Sequence, residues 1–226
     1  MTKRQEFFSA FKTVLPMAVG IVPFGLIVGI TAEPVVGSAH AVFMSAVIVA
    51  GASQLSTIQL LTDGATWIII LMTAMVINVR FLLYSASLEP HLRRTTRIAR
   101  FAMSFFLVDQ IYALSLSSFT NHPNRRHAAW YYWGLVTPVF TVWMSSSVMG
   151  VVLGARVPDS WGLGFAVPLV FIALVFPAIT DKATRASALV AAIVGILAFS
   201  LPFNLFLPVA ALSGIAVGMS VEARNA

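Results

Sequence analysis

Two ionisable side chains, Arg80 and Asp109, sit inside long apolar stretches, whereas most other charges fall between such stretches or near their ends. An arginine supplies a permanent positive charge and a fork of donors. An aspartate accepts and releases a proton. At membrane depth such groups are costly and commonly mark a solute or proton path. A short arginine-rich connection is centred near residue 94 or 95; Arg80 lies 14 residues before position 94 and Asp109 lies 15 after it. An antiparallel hairpin would bring the two charges to similar depth, where they form a natural pair. The same pair would also serve simply to lock two helices together.

Other polar residues follow from helical spacing. Thr73, Arg80, Tyr84 and Ser87 share one face, and Tyr112 shares the face of Asp109. Asn78 and Ser85 point the other way, so Asn78 suits a hydrogen bond to a neighbouring helix. Ser53 and Gln54 lie in the small, polar run Ala50–Thr57. Pro23 removes a backbone donor and Gly25 allows close approach, so a break at Pro23–Phe24–Gly25 would expose backbone groups to a ligand. Gly25/Gly29, Gly150/Gly154 and Gly214/Gly218 repeat a GxxxG spacing, most simply read as helix packing.

The elements that carry these residues are hydrophobic. Of 226 residues, 59% are hydrophobic and only 10% charged, with mean hydropathy +0.91. A soluble domain is about 25% charged, so a soluble enzyme or a nucleic-acid binder is excluded and nucleic acid is not an expected partner. The net charge of +6 reads as basic residues in cytoplasmic loops. There is no cysteine, and neither HExxH nor any other metal-ligand spacing occurs. Of the four histidines only His40 could lie in the membrane, and no serine nucleophile motif accompanies it. Neither a catalytic residue, a metal nor a cofactor is expected. The fold class is all-α: a polytopic helical membrane protein with about seven to eight hydrophobic segments, some broken or re-entrant, forming a single integral membrane transporter domain over 1–226. The segments are 14–32, 38–61, 65–88, 99–119, 129–154, 162–180, 186–201 and 203–221. No alternating ten-residue pattern suggests a barrel.

Charge placement complicates that count. Lys3, Arg4 and Lys12 precede a long apolar run with no convincing cleavage site, which predicts a retained first helix with its N-terminus inside. Arg93, Arg94, Arg97 and Arg100 should also be cytoplasmic. Three complete crossings would put them outside, so either one segment fails to cross or the N-terminus lies outside; 38–61, with its small, polar second half, is the segment expected to be broken or re-entrant. Segments 186–201 and 203–221 are one broken span, two tilted helices or a re-entrant pair. Trp130, Tyr131, Tyr132 and Trp133 read as an interfacial aromatic belt.

An ordered set of motifs resembles the AzlC family, the large subunits of bacterial branched-chain amino-acid exporters. It comprises Leu15–Met17 through Pro23–Gly25, Gly51–Gln54, Asn78–Arg80 with Tyr84–Leu88, Val108–Gln110, Gly162–Phe165 and Leu201–Pro202. Gln110 stands where family members often carry a second acid. The resemblance implies export of valine, leucine or isoleucine across the bacterial cytoplasmic (inner) membrane. It also implies proton-motive force as driver and a small AzlD-like membrane subunit as partner. In that frame Arg80 or helix-end N–H groups would hold the substrate carboxylate. Asp109, Gln54 or exposed carbonyls would hold its ammonium, and Phe24 would shape the apolar pocket. Membrane lipid is the remaining partner. The alternatives are a permease for another small solute and a non-transporting assembly subunit.

Overall fold

A computed structural model describes residues 2–122, 126–156, 172, 179–201 and 206–225. Segment 162–180 lies almost wholly outside them, as do Gly162–Phe165 and Pro202. The described residues form helices and no strand: α1 (Lys3–Val19), α2 (Val22–Val36), α3 (Ser38–Val47), α4 (Gly51–Thr62), α5 (Trp67–Asn78), α6 (Arg80–Leu92), α7 (Arg97–Phe105), α8 (Asp109–Asn121), α9 (Ala128–Gly154), α10 (Lys182–Leu197) and α11 (Phe206–Asn225).

The chain divides into two compact units. The first comprises Met1–Gln54 and Asn78–Trp161 and is organised around α9, along which α1 and α2 pack. Small residues set that contact. A Cβ on Gly29 would meet the backbone of Ser147, Gly150 and Val151, and one on Gly25 would meet Ser146. Backbones that approach so closely gain dispersion contacts over their whole length, the general use of small residues in membrane helices. Ala10, Val14, Ala18, Val28 and Ala32 are fully buried.

The second unit comprises Leu55–Ile77 and Gly162–Ala226. Its helices α10 and α11 lie side by side and antiparallel: Gly195 faces Ala210, Gly214 faces Ala191 and Ser187, and Gly218 faces Ser187. Segments 186–201 and 203–221 are therefore two helices rather than one broken span. Asp181 caps α10 by accepting from the Thr184 N–H at 2.8 Å, while the Thr184 hydroxyl accepts from the Asp181 N–H at 3.1 Å.

Among the described residues two helical stretches are long and apolar enough to cross a membrane, Trp67–Leu92 (α5 and α6 taken together) and Ala128–Gly154. At about 1.5 Å per residue each reaches roughly 40 Å. The pair α1 and α2, bent by 56°, makes a third if taken as one span. The seven to eight segments of the sequence reading are not reproduced among the described residues, because several are divided into shorter helices. Segment 38–61 is broken at 48–50, as expected. Segment 99–119 is also broken, at 106–108, where nothing in the sequence suggested it. The first segment bends at Gly20–Ile21, not at Pro23–Gly25. Pro23 is the second residue of α2, where a helix makes no use of its N–H. The Gly25 N–H donates to Ile21 O at 2.9 Å, so that donor is engaged within the first turn of α2.

Candidate functional site

The expected charge pair is formed. Arg80, first residue of α6, places a guanidinium nitrogen 3.0 Å from Asp109 Oδ2. Tyr84 Oη, one turn along α6, donates to Asp109 Oδ1 at 3.0 Å. The Tyr84 ring stacks on Tyr112, with centroids 4.0 Å apart and planes within 8°, and Tyr112 Oη donates to Ser87 Oγ at 3.4 Å. The three- and four-residue steps that placed Arg80, Tyr84 and Ser87 on one face thus meet the Asp109–Tyr112 step on α8 rung by rung. Asp109 is not mid-helix, however. It opens α8 immediately after the break at 106–108, where the free N–H groups of a helix start favour a carboxylate. The two side chains are 35% and 46% exposed, so they are accessible rather than sealed. The Arg80 Nε atom is buried without a hydrogen-bond partner.

A second polar group surrounds the break at 48–50. Gln54 and Ser45 are fully buried and Ser53 nearly so. Gln54 Nε2 donates to Ser45 Oγ at 3.0 Å, and the Ser45 hydroxyl donates to Ala41 O at 3.2 Å. Trp143 Nε1, on α9, donates to Ser45 O at 2.9 Å, occupying a carbonyl that the end of α3 would otherwise leave open. Asn78 Nδ2 reaches Ser53 Oγ at 3.2 Å, the interhelical bond expected of it. Gln54 Oε1 and Asn78 Oδ1 are buried without partners. Phe24 lies beside this break, 6.1 Å from the Trp143 ring between centroids, and a Cβ on Gly51 would strike it. Pro23 is exposed, and Gly25 is committed to packing on α9; neither joins the polar group.

Residues 16–157 match the family described as AzlC protein. The chain belongs to the AzlC family. Across 221 residues it is 28% identical to the inner membrane protein YgaZ of Escherichia coli strain K12, covering 94% of this chain and 87% of that one. No solved structure matches. With helices of spanning length here and an inner-membrane relative of nearly equal extent, this AzlC protein is a multi-pass protein of the inner membrane. Its role is related to membrane transport, and AzlC is not known as an enzyme family.

The AzlC match covers all ten site residues drawn from the sequence and both helix breaks. Among the described residues no cluster of three or more His, Asp or Glu side chains is arranged to hold a metal. Sequence reasoning missed Ser45 and Trp143. A tryptophan in an apolar helix reads as a packing residue, and its partner is 98 residues away. It also misplaced Tyr131 and Tyr132, which are 5% and 1% exposed and belong to the core rather than to an aromatic belt. Tyr132 Oη donates to Met103 O at 2.7 Å, in the last turn of α7.

Proposed function

We propose that this AzlC protein is the large subunit of a secondary transporter that exports branched-chain amino acids. A small AzlD-like membrane subunit would be its partner and proton-motive force its driver. The observation that carries the reading is the Arg80–Asp109 pair, 3.0 Å apart and partly exposed, at the start of a helix that follows a break. A zwitterion needs a cation for its carboxylate, an anion or carbonyls for its ammonium, and an apolar wall. Arg80, Asp109 and the nearby aromatic rings supply that chemistry.

In the proposed cycle Asp109 carries the proton. Ionised, it holds Arg80 and accepts from Tyr84. Substrate entering from inside takes both charges, its carboxylate on Arg80 and its ammonium on ionised Asp109, and a proton arriving from outside then neutralises Asp109 and frees the ammonium. Release of substrate outward and of the proton inward restores the pair. The AzlD-like subunit would enclose the lipid-exposed face of α6, where Leu82 and Leu83 are 72% and 68% exposed.

The test is counterflow of labelled leucine in proteoliposomes, with and without the small subunit. Leucine exchange that depends on both chains supports the proposal. A protein that binds the small subunit but exchanges no amino acid would instead be an assembly subunit. An Asp109→Asn variant that exports with unchanged dependence on the proton gradient would remove Asp109 from coupling.

A further inference from the structure

A cavity of about 350 Å³ lies between α6, α7 and α9, lined by neither member of the charge pair. Its floor is apolar: Leu88, Leu92, Met103, Leu107 and Tyr132, each 7% exposed or less. Its mouth carries Glu89, Arg97 and Arg100. Glu89 is already engaged, 2.8 Å from Arg93 and 3.5 Å from Arg100. Arg97 has no ion pair among the described residues and is exposed. The mouth therefore holds two arginines against one carboxylate, a surplus of one positive charge, and that carboxylate is already shared with Arg93 beside it.

The helix that forms this rim has two distinct faces. Arg97, Arg100 and Ser104 follow one another by three and four residues and border the cavity. Ile98, Phe101 and Phe105 follow the same spacing one position later and are 84%, 80% and 46% exposed. An exposed apolar stripe beside a basic one is the pattern of a helix lying in a membrane interface, with the apolar residues in the acyl boundary and the arginines at headgroup level. Four arginines within 93–100 place this interface on the cytoplasmic side.

We infer that the cavity binds an anionic phospholipid of the cytoplasmic leaflet, with its phosphate between Arg97 and Arg100 and an acyl chain on the Leu88–Met103–Leu107–Tyr132 floor. Basic pockets between helices on that side are the recognised setting for anionic headgroups. The lipid contacts Tyr132, whose hydroxyl holds the end of α7, and Leu107, within the 106–108 break that precedes Asp109. An occupied cavity thus braces the connection that positions the charge pair.

The experiment uses the purified full chain in detergent. Lipid retention is read by native mass spectrometry and the melting temperature by thermal unfolding. The probes are phosphatidylglycerol, phosphatidylcholine, inorganic phosphate alone and leucine alone. Phosphatidylglycerol is expected to be retained and to raise the melting temperature; the other three are not. Arg97→Gln removes an exposed charge without disturbing Glu89 and is expected to weaken phosphatidylglycerol retention about five-fold, the effect of one basic residue at a membrane surface. Ser104→Phe fills the cavity from its exposed side and is expected to reduce retention with both arginines intact. Arg185→Gln on α10 serves as control. Equal retention of phosphatidylcholine, equal protection by phosphate or leucine alone, or retention unchanged in both Arg97→Gln and Ser104→Phe would each overturn the inference.

Discussion

The breaks at 48–50 and 106–108 are built from opposite materials. At the first, neutral groups are sealed: Ser45 and Gln54 are inaccessible, and Trp143 is 5% exposed. At the second, an arginine and an aspartate meet with a third to a half of each side chain exposed. Yet the scaffolding is alike. In each case an aromatic donor on α9 takes a carbonyl in the last turn of the short helix before the break: Trp143 to Ser45 O, Tyr132 to Met103 O. The two donors are 11 residues apart, three turns of one helix, so they project from nearly the same face. A buried neutral network has fixed partners and is costly to disturb. A partly exposed ion pair contributes little net stability and is free to change partners. The first break fixes geometry, and the second is suited to change state.

The sharpest way to break that contrast is Asp109→Asn. It is expected to leave folding nearly intact while abolishing gradient-driven export, read as proteoliposome transport beside the melting temperature. If transport and stability fell together, the pair would be structural like its counterpart. Gln54→Ala comes next and should do the reverse, lowering stability by about 2–3 kcal/mol through lost volume and the lost hydrogen bond to the Ser45 hydroxyl. Chemical unfolding in detergent measures it. Trp143→Phe keeps the ring but orphans Ser45 O, with an expected cost of about 1–2 kcal/mol.

Much of the charged region is legible in the sequence alone. Depth arithmetic about residue 94 pairs Arg80 with Asp109, and helical spacing aligns Tyr84, Ser87 and Tyr112, because each inference needs only one helix or one hairpin. The break ahead of Asp109 is not legible. Phe106, Leu107 and Val108 are apolar and contain neither glycine nor proline, so hydropathy runs through them unchanged. The neutral region is half legible. The small, polar Ala50–Thr57 run announces a break, but the Trp143 bond joins distant parts of the chain and leaves no local trace. Pro23 misleads for the opposite reason, since proline marks a helix start as readily as an interruption.

Tyr84→Phe should have a smaller effect than any of these, under about 1 kcal/mol on stability, with a change in the pH profile of transport that Trp143→Phe does not share. The smallest effect is expected at Asp181, which gives a baseline outside both breaks. The Thr184 backbone hydrogen bond holds its carboxyl below the usual range. Its cap is therefore present at neutral pH and lost only as pH falls below about 3.9, the unfolded value. Asp181→Ala should lower the melting temperature slightly at pH 7 and by less at pH 3.

Gly29 rests against the backbone of α9, with its missing Cβ aimed at Ser147, Gly150 and Val151. A joint filled with long side chains can slide by rotamer changes, but this one has no rotamers to change. The two helices therefore travel as one strut, and α9 carries Trp143 and Tyr132 with it. Any rocking that opens one side of the membrane and closes the other must pivot on the connections around that strut, with 106–108 as the nearest swivel to the charge pair.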